Sequence, residues 1–151
     1  MEPEDRLKNY IRDNMISAEH LVFDASCHSV SDAAKAASVD IIDIVKNVCF
    51  MDDEGIIVAI VKGEDRADMK KISGLCGSDV RIATPDEILR LTKFKVGGVP
   101  SFGYHARFFI DKKVMDREYI ITGGGSDRSL VRISPANLQK ANQGRIEDIR
   151  K

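Results

Sequence analysis

No apolar run of 18 residues occurs in the sequence, so it offers no candidate for a bilayer-spanning helix. The opening stretch, Met1-Glu-Pro-Glu-Asp-Arg6, is acidic and has no apolar core, which excludes a secretory signal of the usual kind. Cysteine is scarce: Cys27, Cys49 and Cys76 are odd in number and far apart, so neither a disulfide framework nor a C-x-x-C zinc site follows. A reducing cytoplasm is the simplest compartment for such a chain. The formal net charge is only −1, so no whole-chain basic field points to nucleic acid. H-E-x-x-H, G-x-S-x-G and G-x-x-x-x-G-K-[ST] are all missing, which leaves the common metalloprotease, serine-hydrolase and P-loop routes unsupported. Internal repeats, low-complexity linkers and charge blocks are missing too.

What is present is one domain's worth of ordinary globular sequence, residues 1–151, with 43% hydrophobic and 31% charged residues. Pro3, Glu4 and Asp5 suit a helix start, and Leu7, Tyr10, Ile11 and Met15 continue it at helical spacing to about Asn14. His20–Asp24 reads as a short strand. Ser29 precedes a helix over Asp32–Ala37 in a capping-box pattern. Ile44–Met51 and Ile56–Val61 read as two strands of a hairpin joined by Asp52-Asp-Glu-Gly55; the second is apolar throughout and is expected to be buried on both faces. A helix over Asp65–Leu75 closes at Gly77, and Val80–Ala83 is a strand. Thr84-Pro-Asp-Glu87 starts a further helix. Strands follow at Ala106–Ile110, Tyr119–Thr122 and Leu130–Ile133, with a turn or short helix over Asp111–Glu118. Ser134-Pro135 opens a last helix to about Ala141, and the tail adds a turn near Ile146–Ile149. The order implies one mixed α/β domain with a largely antiparallel sheet flanked by helices.

The most unusual stretch is Lys95-Val-Gly-Gly-Val-Pro-Ser-Phe-Gly-Tyr104. Gly97, Gly98, Pro100, Ser101 and Gly103 crowd into seven residues, which no helix or strand interior tolerates. It is either a long turn or a loop that offers main-chain N–H groups to a ligand. Around it, from Arg90 to Arg117, stand seven Lys/Arg against two Asp/Glu. Lys46, inside an apolar strand, is either that strand's solvent face or a fixed cation for a phosphate or a developing oxyanion. Cys27-His28 is a weak nucleophile–base candidate, because adjacent residues on extended chain point apart. His105, just after the loop, could equally line a site or bond to structure. Gly123-Gly-Gly-Ser126 lacks phosphate-loop spacing and reads as a tight turn.

Taken in order, several marks resemble one family. They are Ser29-Val-Ser-Asp-Ala-Ala34, Val45-Lys46-Asn47, Val61-Lys-Gly-Glu-Asp65, Asp68-x-Lys70-Lys71-Ile72 and Ala83-Thr-Pro-Asp-Glu87. Gly97-Gly98-Val99-Pro100 with Gly103, Ile110-Asp111 and Thr122-Gly-Gly-Gly-Ser126 complete them. Together the chain resembles the YbaK/prolyl-tRNA synthetase-associated domain, a family of trans-acting aminoacyl-tRNA editing enzymes. The resemblance implies a compact α/β fold and hydrolysis of the ester that joins a wrong amino acid to tRNA, most often alanine or cysteine on tRNA for proline. It assigns the essential lysine to Lys46 and the glycine loop to Gly97–Ser101, with Asn47 as a substrate contact. In the same frame Gly98 and Ser101 join Lys46 as catalytic candidates. Gly97, Val99, Pro100, Gly103, His105, Asp111 and Gly124 are candidates for substrate binding. One departure stands out: many members carry proline where this chain has Ser101, and its own proline comes one place earlier, at Pro100.

Ester hydrolysis needs a water nucleophile and donors for the tetrahedral oxyanion. N–H groups around Gly98, Val99 and Ser101 would supply donors, while Pro100 has none to give. Lys46 would hold the terminal adenosine's phosphate or orient the ester. The resemblance implies that the substrate's own 2′-hydroxyl assists, and it calls for no metal or cofactor. The expected partner is the acceptor end of an aminoacyl-tRNA, with a synthetase or elongation factor as a further one and no membrane. The Ser101 departure keeps a second reading open, a module of the same fold that binds aminoacyl ends or a synthetase without hydrolysis.

Overall fold

The all-apolar run from Ile56 to Val61 is the centre of the molecule. The structure, a computed structural model, describes residues 1–151. Strand β3 (Gly55–Lys62) pairs antiparallel with β2 (Val45–Asp52) and parallel with β5 (Arg107–Asp111), so it has neighbours on both edges. Its side chains alternate between two cores. Ile56, Val58 and Ile60 enter the larger one, with Leu7, Ile88, Phe102 and Leu138. Ile57, Ala59 and Val61 enter a second, with Ile72, Phe109 and Ile149. Full burial of each such side chain stabilises the fold by roughly 1.5–3 kcal/mol.

Five strands form this sheet in the order β4-β2-β3-β5-β8, where β4 is Arg81–Ile82 and β8 is Arg145–Glu147. A separate three-stranded antiparallel sheet, β1-β7-β6, is built from Ala18–Val22, Ser129–Ile133 and Ile120–Gly123. One bridge, Ile44 to Ile121, joins the two sheets at the start of β2. The sequence implied one sheet; the structure has two, with the second glycine cluster at their junction. The helices are α1 (Pro3–Asp13), α2 (Val30–Ala37), α3 (Met69–Cys76), α4 (Pro85–Thr92) and α5 (Pro135–Asn142).

Local chemistry sets the ends. Thr84 and Glu87 form a reciprocal capping box on α4, and Ser29 caps α2 by accepting from the Asp32 N–H. Helix α3 starts later than expected, because Asp68 is its cap and accepts from the N–H groups of Lys70 and Lys71. The tail is a strand rather than a turn. β8 adds parallel to β5, and buried Asp111 then fixes the chain end by accepting from Ile149 N–H and pairing with Arg150.

Candidate functional site

The outer edge of β2 is only partly covered. β4 pairs with it at Phe50 and Met51, and the bridge to β6 lies at Ile44, so Val45–Val48 has an open edge. A cleft of about 270 Å³ opens there. The start of β2 (Ile44–Asn47), the segment before α2 (Cys27–Val30), the loop residues Gly97 and Val99, and β6 residues Ile121–Gly123 line it. Lys46 is half-buried in this wall and pairs with no carboxylate, unlike Lys62, which bonds Glu64 at 2.8 Å.

Glycine has a specific role on both sides of the cleft. Gly97 sits at φ +96°, and a Cβ there would overlap the His28 ring. A Cβ on Gly98 would stand 2.8 Å from the Ser126 nitrogen, and one on Gly123 would overlap the Val99 carbonyl. The loop and the second glycine cluster therefore touch backbone to backbone. Gly125 N–H donates to Gly98 O at 2.8 Å across the contact.

Each loop carbonyl from Gly98 to Ser101 is held by a different part of the chain. Asn47 Nδ2 donates to Val99 O at 2.9 Å, Tyr104 Oη to Pro100 O at 2.6 Å, and Asn142 Nδ2 to Ser101 O at 2.9 Å. Burial pushes the Tyr104 phenol well above its ordinary range, which keeps it a donor. With the carbonyls fixed, the N–H groups of Gly97 and Val99 donate to no protein acceptor, and both residues line the cleft. The Gly98 N–H closes a turn onto Lys95 O at 3.0 Å.

Behind the loop, Ser101 is fully buried. Its Oγ donates to Asn47 Oδ1 at 2.6 Å and lies 2.6 Å from Thr122 Oγ1, which accepts from Asn47 Nδ2 at 3.1 Å. Asn47, Ser101 and Thr122 thus close a small ring of hydrogen bonds.

The structure gathers part of the expected set. Lys46, Asn47, Gly97 and Val99 line the cleft, and Gly98, Pro100 and Ser101 are buried directly behind it. Four residues lie elsewhere. Gly103 packs toward Leu7 and Tyr10 of α1. His105 is exposed and borders a different hollow, with Glu54 and Leu91. Asp111 holds the C-terminal segment, and Gly124 is buried against β7, its carbonyl 2.8 Å from His20 Nε2. Cys27 and His28 both line the cleft, but no hydrogen bond joins them. Burial, with Asp127 and Asp32 nearby, holds the Cys27 thiol above its ordinary range, so it is not a ready thiolate. Sequence reading missed Thr122, Tyr104 and Asn142 as parts of the site. Thr122 stood in a quoted motif, but only the fold shows that it meets Ser101.

The fold recurs in known proteins. A structure described as a candidate trans-editing enzyme for prolyl tRNA synthetase superposes with a TM-score of 0.92 at 26% identity, covering 100% of this chain and 99% of that one. The uncharacterized protein YwhH of Bacillus subtilis (strain 168) is 24% identical over 127 residues, 82% of this chain and 81% of that protein. A proline–tRNA ligase from Anaeromyxobacter sp. (strain Fw109-5) is 31% identical over 85 residues, but these span 55% of this chain and only 15% of the ligase. The family profile for the aminoacyl-tRNA editing domain matches residues 24–141, a span that holds β2, the glycine loop and the second glycine cluster. The chain belongs to the aminoacyl-tRNA editing domain family, of the YbaK/prolyl-tRNA synthetase-associated kind.

Proposed function

We propose that this protein is an aminoacyl-tRNA deacylase acting in trans, which hydrolyses the ester of mischarged tRNA, most often alanyl- or cysteinyl-tRNA for proline. One observation carries the reading. Lys46, which has no ion-pair partner, and Gly97 and Val99, whose main-chain N–H groups have no protein acceptor, line one cleft.

The acceptor end enters with its terminal adenosine toward Lys46, whose charge holds a phosphate or orients the ester. As water attacks the ester carbonyl, negative charge develops on its oxygen. The N–H groups of Gly97 and Val99 are already desolvated in part and fixed by their neighbours, so they stabilise that charge with little reorganisation. Collapse of the tetrahedral centre releases the amino acid and leaves the ribose hydroxyl on the tRNA. The substrate's neighbouring 2′-hydroxyl assists the water. Cys27 does not take the nucleophile's part, since its thiol is held protonated.

The apolar part of the wall, with Val30, Ala33, Ile44, Cys49, Ile88 and Leu130, offers an apolar surface for the side chain of alanine or cysteine. Fit alone separates substrates differing by one methylene by only about 1–3 kcal/mol, so exclusion of prolyl-tRNA rests on steric overlap with its ring. The test is a release assay on alanyl-, cysteinyl-, seryl- and prolyl-tRNA for proline. Release of alanine or cysteine with prolyl-tRNA left intact is expected. Equal release from all four would refute the selectivity, and tight binding with no release would favour the non-hydrolytic module.

A further inference from the structure

The hydrogen-bond ring behind the loop assigns roles that differ from direct substrate contact. Val99 O can only accept, so the Asn47 atom facing it is the amide nitrogen, and the amide orientation is fixed. One Asn47 N–H then goes to Val99 O and the other to Thr122 Oγ1. The amide oxygen accepts from Ser101 Oγ. Because the Ser101 proton points to Asn47, the 2.6 Å contact between the hydroxyls requires Thr122 to donate to Ser101. Every donor in the ring is used once, and both amide N–H groups of Asn47 are used inside the protein.

We infer that Asn47, Ser101 and Thr122 form one clamp that fixes the Val99 carbonyl and, together with the Gly125 N–H that holds Gly98 O on the preceding peptide, directs the Val99 N–H to the reacting ester, making all three positioning residues rather than substrate ligands. This rests on the deacylase reading above. Ser101 is fully buried and lies outside the cleft lining, so it does not reach a tRNA directly, while Thr122 borders the cleft with its hydroxyl committed to Ser101 and Asn47. Residue 101 is also where the sequence departs from proline. Proline could not donate to Asn47, so the serine is what completes the ring in this chain. A ring of this kind acts as a unit: opening it at either hydroxyl frees the Asn47 amide to rotate and releases the loop.

The experiment compares Ser101→Ala, Thr122→Val, Thr122→Ser and the Ser101→Ala/Thr122→Val double variant with the wild type. The readouts are steady-state deacylation of alanyl-tRNA for proline, melting temperature, and the side-chain amide signals of Asn47 in 15N-labelled protein. Ser101→Ala and Thr122→Val should each lower kcat about tenfold to a hundredfold with KM nearly unchanged, since misplacing a catalytic donor by about 1 Å has effects of that order. The double variant should be no slower than the slower single one, and Thr122→Ser, which keeps the hydroxyl, should restore most of kcat. The Asn47 amide protons should exchange slowly with water in the wild type and quickly in Thr122→Val. Wild-type kcat in a folded Ser101→Ala or Thr122→Val protein would overturn the clamp, as would Thr122→Ser being as slow as Thr122→Val. If the wild type releases no amino acid from any of the four tRNAs, the deacylase reading fails. The amide signals still decide the clamp in that case, because fast exchange in the wild type overturns it and slow exchange lost in Thr122→Val supports it.

Discussion

The β2–β3 hairpin has two ends, and they treat polar groups in opposite ways. At its turn, the Asp52 carboxylate is almost completely covered and its charge is matched by Arg107. Arg107 pairs with both Asp52 and Glu54, and Ser78 Oγ donates to Asp52 at 2.6 Å. At the other end of this eight-residue strand, Lys46 stands in the cleft wall with no carboxylate partner, beside neutral amides and hydroxyls that bond only to one another and to the loop. Pairing leaves neither Arg107 nor Asp52 with a free charge at the first end. The second end keeps the Lys46 charge and the Gly97 and Val99 N–H groups free while tying down the loop carbonyls beside them. On the proposed reading, stability and function are separated along a single strand.

Substitutions at the two ends should separate accordingly. The largest effect is expected from Lys46→Ala, which should lower single-turnover deacylation by about a hundredfold or more, the scale of losing a group that stabilises transition-state charge. Its melting temperature should stay near that of the wild type, because Lys46 has no ion pair to lose. A large fall in melting temperature would erase the contrast between the ends. Gly97→Ala should follow, with roughly a tenfold or greater loss of kcat, because the new methyl meets His28 and the backbone at φ +96° must shift. Here too kcat should respond more than KM.

Asp52→Asn should do the reverse, destabilising the fold by about 1–3 kcal/mol by denaturant titration while leaving kcat unchanged. Its pH dependence sharpens the point. The hydrogen bonds from the Arg107 guanidinium hold the Asp52 carboxyl far below the usual carboxylate range, with Ser78 and the Glu54 N–H helping. The folded state therefore favours the ionised form, and that stabilisation is complete above the unfolded pKa of about 3.9 and is lost as pH falls below it. The stability gap between wild type and Asp52→Asn should accordingly be constant near neutrality and narrow in acid. A gap that widens in acid would reverse the assigned sign. The smallest effect belongs to Thr84→Ala, which removes the capping box of α4 at a cost of about 1 kcal/mol, with no change in deacylation.

Periodicity and end signals made much of the fold legible. The all-apolar Ile56–Val61 is central and buried on both faces, and Thr84-Pro-Asp-Glu87 starts a helix as its residue types require. Two features were hidden because they depend on contacts far apart in sequence. The tail becomes β8 only by pairing with β5 and by satisfying Asp111, about forty residues earlier, so Ile146–Ile149 alone reads as a turn. The separation into two sheets likewise depends on where β6 lies, not on any local pattern.

The site shows the same division. Gly97 and Lys46 were both legible as candidates, one in an unusual glycine loop and one a cation in an apolar strand, and the fold brings them to one cleft. The Gly123–Gly125 cluster read as a turn, because nothing local reveals that Gly98 and Val99 press against it. His105 and Asp111 stood close to site motifs in sequence, but the chain carries them away from the cleft to a surface hollow and to the C-terminal fastening. Ser101 stood out only as a departure from the family's proline, and what it bonds to was not legible. It is buried behind the loop, bonded to the asparagine next to the lysine.

The central claim is that the free charge at the open end of the hairpin serves ester hydrolysis, and single-turnover deacylation of alanyl-tRNA for proline by wild-type and Lys46→Ala protein tests it most directly. Rapid release of alanine by the wild type and a loss of about a hundredfold or more in a folded Lys46→Ala variant are predicted. Equal rates in the two proteins, or no release by the wild type, would contradict it.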